Sequence, residues 1–363
     1  MAPEKLKPDD PRVEHRTAQI NGKTYYYLLG LPPGVTSPVA TVLLIHGWPD
    51  LAFGWRYQVP FLLSLGMRVI VPDMIGYGRT DAPANDLRAY SFRSISKDMA
   101  ALVRHVLPDD PNPSVVVGGH DWGGFLVWRL ALWQPTLVRA VFSVCTPYAP
   151  PLPEWLEPEA YVARIPNFRY QLQLASGEVE RYLRPGDESR LRSFFNGIFL
   201  GRNSSGEGIF RTDRGLVFEN FDSVGPSPIV GPEEIDFYVR EYSHGRSSSE
   251  KKDKQPDTDE SDSPLHGPLN WYRTRRINYE DDQELLRQGR TRITVPSLFI
   301  SARGDVALPP AMSAGMEQYF DQLYRAEVNA AHWALWMTPD EVNSHIGAFL
   351  GKVVGHGSVK ASM

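Results

Sequence analysis

The chain reads as an α/β protein: a mostly parallel sheet flanked by helices, with a helical insertion. Three observations predict this. Short apolar runs alternate with amphipathic stretches through the first 147 residues. One of those runs ends in a glycine-rich turn that opens directly into an apolar helix. The alternation then stops between 148 and 289 and resumes to the end of the chain. Strands separated by helices imply parallel pairing with right-handed crossovers. The expected organisation is a core domain of 1–147 and 290–363, with a helical cap of 148–289 inserted after a strand ending near Cys145.

Each element has its own warrant. Thr41–Ile45 is a β-branched and apolar run, and 68–71 is another. Both are short enough for buried strands. Apolar residues recur at Phe92, Ile95, Met99, Leu102, Val103 and Val106, which is helical spacing. Further strands are expected at 114–117, 140–144, 295–300 and 324–328, and a last helix at 341–350. The insertion is rich in Pro, Trp and Tyr and carries short helical patterns such as 191–195. Within it, 246–264 has no large apolar side chain and is expected to be a mobile surface loop.

Bulk properties narrow the function. The 363 residues suit one large α/β domain with an insertion, and a hydrophobic content of 42% suffices for a core. A net charge of −5 argues against nucleic-acid or anionic-membrane partners. No apolar run approaches the ~20 residues of a membrane span. The single cysteine, Cys145, cannot form an internal disulfide, and its apolar neighbours point to a buried core thiol. These features lead us to expect a cytoplasmic protein with no membrane anchor. Oligomeric state is left open.

The chemistry is carried by Gly118-Gly119-His120-Asp121-Trp122-Gly123-Gly124. A buried strand precedes it and an apolar helix follows. Small residues at 119 and 123 flank the centre. This is the nucleophile elbow of an α/β-hydrolase, with Asp121 where serine is usual. A bland alternative is a turn in which Asp121 merely caps the helix. The nucleophile reading restricts the reaction. A carboxylate attacking a saturated carbon gives an alkyl ester whose carbonyl belongs to the enzyme, and water can cleave it. The electrophile should carry a built-in leaving group, as epoxides and alkyl halides do. With a reference pKa of about 3.9, the aspartate needs no base for its attack.

The rest of the apparatus follows in chain order: nucleophile, acid, histidine. Asp305 lies after the strand 295–300, and His332 lies between the strand 324–328 and the last helix. A neutral imidazole there can take a proton from water, with Asp305 holding its tautomer. His244, His266 and His345 are weaker candidates, and His120 is expected to pack. His46-Gly47-Trp48-Pro49 follows the strand Thr41–Ile45, where this fold takes its second oxyanion donor. The backbone N–H groups of Trp48 and Trp122 are therefore candidates to hold the oxyanion. Pro49 suits a tight, cis-compatible turn.

These segments, with Gly304-Asp305 and Ala331-His332-Trp333, resemble the soluble epoxide hydrolases of the α/β-hydrolase superfamily. The resemblance covers nearly the whole chain. It implies conversion of a small hydrophobic epoxide to a vicinal diol through an Asp121 ester, with no cofactor and no metal. It also implies two cap tyrosines that bind the epoxide oxygen. Pro166-Asn167-Phe168-Arg169-Tyr170 marks Tyr170, and Gly267-Pro268-Leu269-Asn270-Trp271-Tyr272 marks Tyr272. Opening an epoxide leaves an alkoxide that must be protonated, and a phenol near pKa 10 can do this. A haloalkane or haloacetate dehalogenase would share Asp121 and His332 but needs no such donors. A non-catalytic ligand-binding scaffold is the third reading.

Overall fold

A computed structural model describes residues 4–244 and 260–354. The chain divides into two compact units. One comprises Met1–Met74, Phe92–Pro153 and Glu280–Met363; the other comprises Ile75–Ser91 and Glu154–Tyr279.

The first unit is built on eight strands: β1 (Val13–Ile20), β2 (Lys23–Gly30), β3 (Thr41–Ile45), β4 (Arg68–Pro72), β5 (Val115–His120), β6 (Val138–Val144), β7 (Ser297–Ala302) and β8 (Leu323–Val328). Their spatial order is β1-β2-β4-β3-β5-β6-β7-β8. From β4 to β8 every pairing is parallel. The first two strands are antiparallel additions that the alternation pattern did not reveal. Their signal is Asn21-Gly22 between them. Both residues take positive φ, 50° and 81°, as a two-residue hairpin turn of the right twist requires.

The central strands are buried on both faces, so they read as continuous apolar runs rather than alternating ones. Helix α1 (Gln58–Ser64) links β3 to β4, α2 (Phe92–Val106) precedes β5, and α3 (Trp122–Trp133) links β5 to β6. Helix α2 buries Phe92, Ile95, Met99, Leu102 and Val103 along one stripe. Helix α3 is apolar nearly all round and buried accordingly.

Gly118 shows how tightly the sheet is packed. A Cβ there would fall 2.0 Å from the ring of Phe142 on the neighbouring strand. That ring is fully buried and lies edge-on to Trp55 at 6.3 Å. Phe142→Ala should therefore cost roughly 3–5 kcal/mol, because removing a fully buried ring leaves a cavity in the core. Urea denaturation checks this. A loss under ~1 kcal/mol would show that the site relaxes.

The second unit is helical: α4 (Pro158–Arg164), α5 (Tyr170–Ala175), α6 (Glu178–Tyr182), α7 (Glu188–Ile198), α8 (Pro232–His244) and α9 (His266–Arg273). Helix α7 is capped by Asp187, whose carboxylate accepts from Arg190 N–H at 2.9 Å. Its stripe of Leu191, Phe194, Phe195 and Ile198 is buried, and Phe195 meets Tyr238 and Tyr242 of α8 at 5.4 and 4.9 Å.

Most of the expected loop 246–264 falls outside the described residues. Its last part is ordered, contrary to expectation. Glu260–Asp262 form a 3-10 turn, and buried Ser263 donates to the Leu183 carbonyl at 2.6 Å. A small hydroxyl satisfied by backbone can be buried without an apolar side chain beside it.

Candidate active site

The carboxyl ends of the parallel strands carry every residue expected of the core site. Trp48 follows β3, Asp121 follows β5, Asp305 follows β7 and His332 follows β8. The first of these turns is tight, with a cis peptide at Trp48-Pro49.

Asp121 sits at φ 55° and ψ −124°, a conformation that a non-glycine residue holds only when its surroundings enforce it. The flanking glycines show what enforces it. A Cβ at Gly119 would lie 2.2 Å from Gly123 O, and one at Gly123 would lie 2.1 Å from Ile45 O. The elbow is thus wedged between its own helix and the end of β3. Its side chain makes no helix-cap hydrogen bond, which removes the capping alternative. Instead Oδ1 accepts from the Trp48 N–H at 2.7 Å, and the carboxylate also accepts from the Trp122 N–H. Gly47 must lack a side chain here, since its Cβ would fall 2.3 Å from Oδ1.

His332 stands between two carboxylates. Its Nδ1 is 2.8 Å from Asp305 Oδ2, and its Nε2 is 3.6 Å from Asp121 Oδ2. Asp305 is locked by the N–H groups of Ala307 and Leu308, both 2.9 Å from Oδ1. The charge states follow from these contacts. Burial raises the Asp121 carboxyl above its ordinary value, while His332 and the two N–H donors oppose the rise. Burial also opposes charge on Asp305, but His332 and the two amides hold it below the usual range. Burial disfavours charge on His332, yet Asp305 and then Asp121 lift its pKa to about 9. The site therefore sets an imidazole of raised pKa between one carboxyl that burial raises and one that its partners lower.

Two further residues hold His332, and sequence reasoning missed that role for both. His120, expected only to pack, brings Nε2 2.8 Å from the His332 carbonyl, and Cys145 Sγ donates to the same oxygen at 3.4 Å. Adjacency to the elbow was the one available clue for His120. Burial keeps His120 neutral, with its pKa lowered to about 3, and pushes the Cys145 thiol well up. The donor atoms of His120, Cys145 and His332 lie within 4.8 Å of one another. As a metal site they are a poor fit. The thiol resists ionisation, and both imidazoles are engaged by Asp305 or a carbonyl.

Tyr170 and Tyr272 lie in the second unit, at the start of α5 and near the end of α9. Both are buried, and their ring centroids are 6.2 Å apart at 75°. Among the other histidines, His345 lies within the helix Pro339–Val353 and His266 opens α9.

Replacing Asp305 with Asn should lower turnover by roughly 10²–10⁴, since the imidazole loses its orienting charge. The His332 pKa should fall with it, as ¹³C NMR of the imidazole would show. The sign of the linked stability is fixed. A pKa raised from 6.5 to about 9 stabilises the fold fully below pH 6.5 and ceases to do so as pH rises through 9. The stability gap between the parent and Asp305→Asn should narrow over that window.

Fold and geometry together define an α/β-hydrolase with an aspartate at the elbow, beside a histidine and a second carboxylate. Comparison with known proteins agrees. The family model for the alpha/beta hydrolase fold matches residues 40–339. Epoxide hydrolase srdG of Neurospora crassa is 44% identical over 359 residues, covering 96% of this chain and 99% of that one. Bifunctional epoxide hydrolase 2 of Rattus norvegicus is 30% identical over 99% of this chain, which spans 59% of the rat protein's length. The crystal structure of epoxide hydrolase A from Mycobacterium thermoresistibile superposes with a TM-score of 0.72 at 27% identity, covering 93% and 98% of the two chains. The chain belongs to the epoxide hydrolase family of the α/β-hydrolase fold.

Proposed function

We propose that this protein hydrolyses epoxides to vicinal diols through a covalent ester on Asp121. The observation that carries the reading is the Asp121 carboxylate: Oδ1 is held by the Trp48 N–H while Oδ2 faces His332. The restrained oxygen becomes the ester carbonyl and later the oxyanion. The other oxygen is the nucleophile. An oxyanion hole already engaged at rest needs no reorganisation in the second step.

Oδ2 of Asp121 bonds to a ring carbon as that carbon's bond to the epoxide oxygen breaks. The released alkoxide takes a proton from a phenol, Tyr170 or Tyr272. Esterification removes one of the two negative charges beside His332, so its pKa falls from about 9 and it releases its proton to solvent, from which the tyrosinate regains one. The imidazole becomes a base at the step that needs one. Water then yields a proton to His332, and hydroxide adds to the ester carbonyl. The diol departs with the second proton of that water, and the Asp121–His332 ion pair is restored. No cofactor or metal takes part.

In this reading the second unit serves as the cap that supplies the tyrosines, and the substrate is a small apolar epoxide. Relatives named as epoxide hydrolases support this over a dehalogenase or a non-catalytic scaffold. Among the described residues no helix is long and apolar enough to cross a membrane. The lone buried cysteine fits a reducing compartment, and we place the protein in the cytoplasm.

Single-turnover hydrolysis in heavy-oxygen water tests the mechanism. The first diol should contain unlabelled oxygen, with the label appearing in Asp121. A labelled first diol with none in Asp121 would sink the covalent route.

A further inference from the structure

The two phenols ride on separate short helices. Tyr170 opens α5, of 6 residues, and Tyr272 is the penultimate residue of α9, of 8. Helices this short do not hold their own shape, so tertiary contacts must fix one against the other. Arg273, next to Tyr272, makes those contacts. Its Nε donates to the carbonyl of Ala175, the last residue of α5, at 3.1 Å. Its Nη1 donates to Asn270 Oδ1, one turn back on α9, at 2.9 Å. Its Nη2 donates to Glu180 Oε1 on α6.

Glu180 completes the joint. Its side chain is 0% exposed, and the oxygen that meets Arg273 also lies 3.4 Å from His266 Nδ1, at the start of α9. Burial opposes its charge, but His266 and Arg273 hold its pKa below the usual range. A planar guanidinium offers a rigid fork of donors, and a buried carboxylate fixes how that fork is turned. Helix α9 is secured elsewhere as well. Trp271 Nε1 donates to the Ile75 carbonyl at 2.9 Å, and Gly267 packs so closely on Gly76 that a Cβ would fall 2.5 Å from its carbonyl oxygen.

We propose that the Arg273–Glu180 ion pair is a positioning device for the reaction, setting the separation of Tyr170 and Tyr272 by tying α5, α6 and α9 together. The proposal rests on the reading of those tyrosines as epoxide-oxygen donors. Loosening the joint should then impair ring opening, which needs the phenols, and spare ester hydrolysis, which does not.

Two substitutions probe it differently. Glu180→Gln keeps the shape and removes the charge, whereas Arg273→Lys keeps the charge and removes the fork. Stopped-flow tryptophan fluorescence with styrene oxide separates alkylation from hydrolysis, in the parent and in a Tyr170→Phe/Tyr272→Phe background. We expect each substitution to slow alkylation by about 10-fold or more, since a misplacement of ~1 Å can cost about 10²-fold. Hydrolysis should stay within about twofold, and neither substitution should slow alkylation further in the double-Phe background, because residues acting through one another are not additive. If Glu180→Gln fails to fold by circular dichroism, Arg273→Lys carries the test. Alkylation within about twofold of the parent in a folded variant, or a loss that persists in the double-Phe background, overturns the proposal. The two failures are distinguishable. A double-Phe enzyme that alkylates at the parent rate defeats the tyrosine reading and the joint with it. A double-Phe loss without a loss in Glu180→Gln or Arg273→Lys defeats the joint alone.

Discussion

His332→Gln should give an enzyme that consumes one epoxide per site and then stalls. Alkylation needs an ionised Asp121 and a phenol but no base, whereas breaking the ester needs a base for water. Losing a general base costs on the order of 10²–10⁴ in the step it serves, so the ester should accumulate. Intact-mass spectrometry should show a gain of one substrate mass, located on the peptide that contains Asp121. The pH dependence of the first step should also move. Burial raises the Asp121 carboxyl, and the charge on His332 holds it down. Without that charge the carboxyl titrates higher, so alkylation should require a higher pH than in the parent. Asp121→Asn should show neither adduct nor turnover. An adduct-free His332→Gln enzyme that still turns over would refute the assignment of both residues.

The second large effect belongs to the tyrosines. Tyr170→Phe and Tyr272→Phe should each slow ring opening by roughly 10-fold, and the double variant by roughly 10²–10⁴, because an alkoxide would leave without a proton donor. Hydrolysis of the preformed ester should be unchanged. The measurement is single-turnover alkylation, and it discriminates between reaction classes. A halide leaves without a proton, so a dehalogenase would tolerate both substitutions. Halide release from a chlorinated alkane, undiminished in the double variant, would favour that chemistry. Relatives at 44% and 30% identity bear the name of epoxide hydrolases.

How much of this was legible beforehand differs from residue to residue. Asp121 could be read because strand, turn and helix are consecutive in the chain, and small residues at 119 and 123 flank the turn. Asp305 and His332 could be read because each follows a recognisable strand in the required order. The hairpin at Asn21-Gly22 carried a turn signal of its own, yet alternation with helices, the pattern that located the other strands, has no place in a hairpin. Ser263 could not be read as buried, because the residues before it are polar and its partner carbonyl is 80 positions away.

The sequence by itself determined the class of chemistry: a carboxylate at an elbow, an acid and a histidine in order, and a helical insertion bearing matching tyrosine segments. The elbow, the ordered acid and histidine and the insertion are local, and residue type with periodicity or adjacency suffices to report them; the tyrosine segments were marked only by the resemblance to epoxide hydrolases. Only the tertiary structure decided which oxygen of Asp121 the Trp48 N–H restrains and that two carboxyl groups flank His332 and lift its pKa. It also decided that His120 and Cys145 hold the His332 carbonyl, and that one guanidinium joins the two tyrosine-bearing helices. Each of these depends on burial or on hydrogen bonds between residues far apart in the chain. Such contacts exist only once the core has excluded water, and no run of neighbouring residues records them.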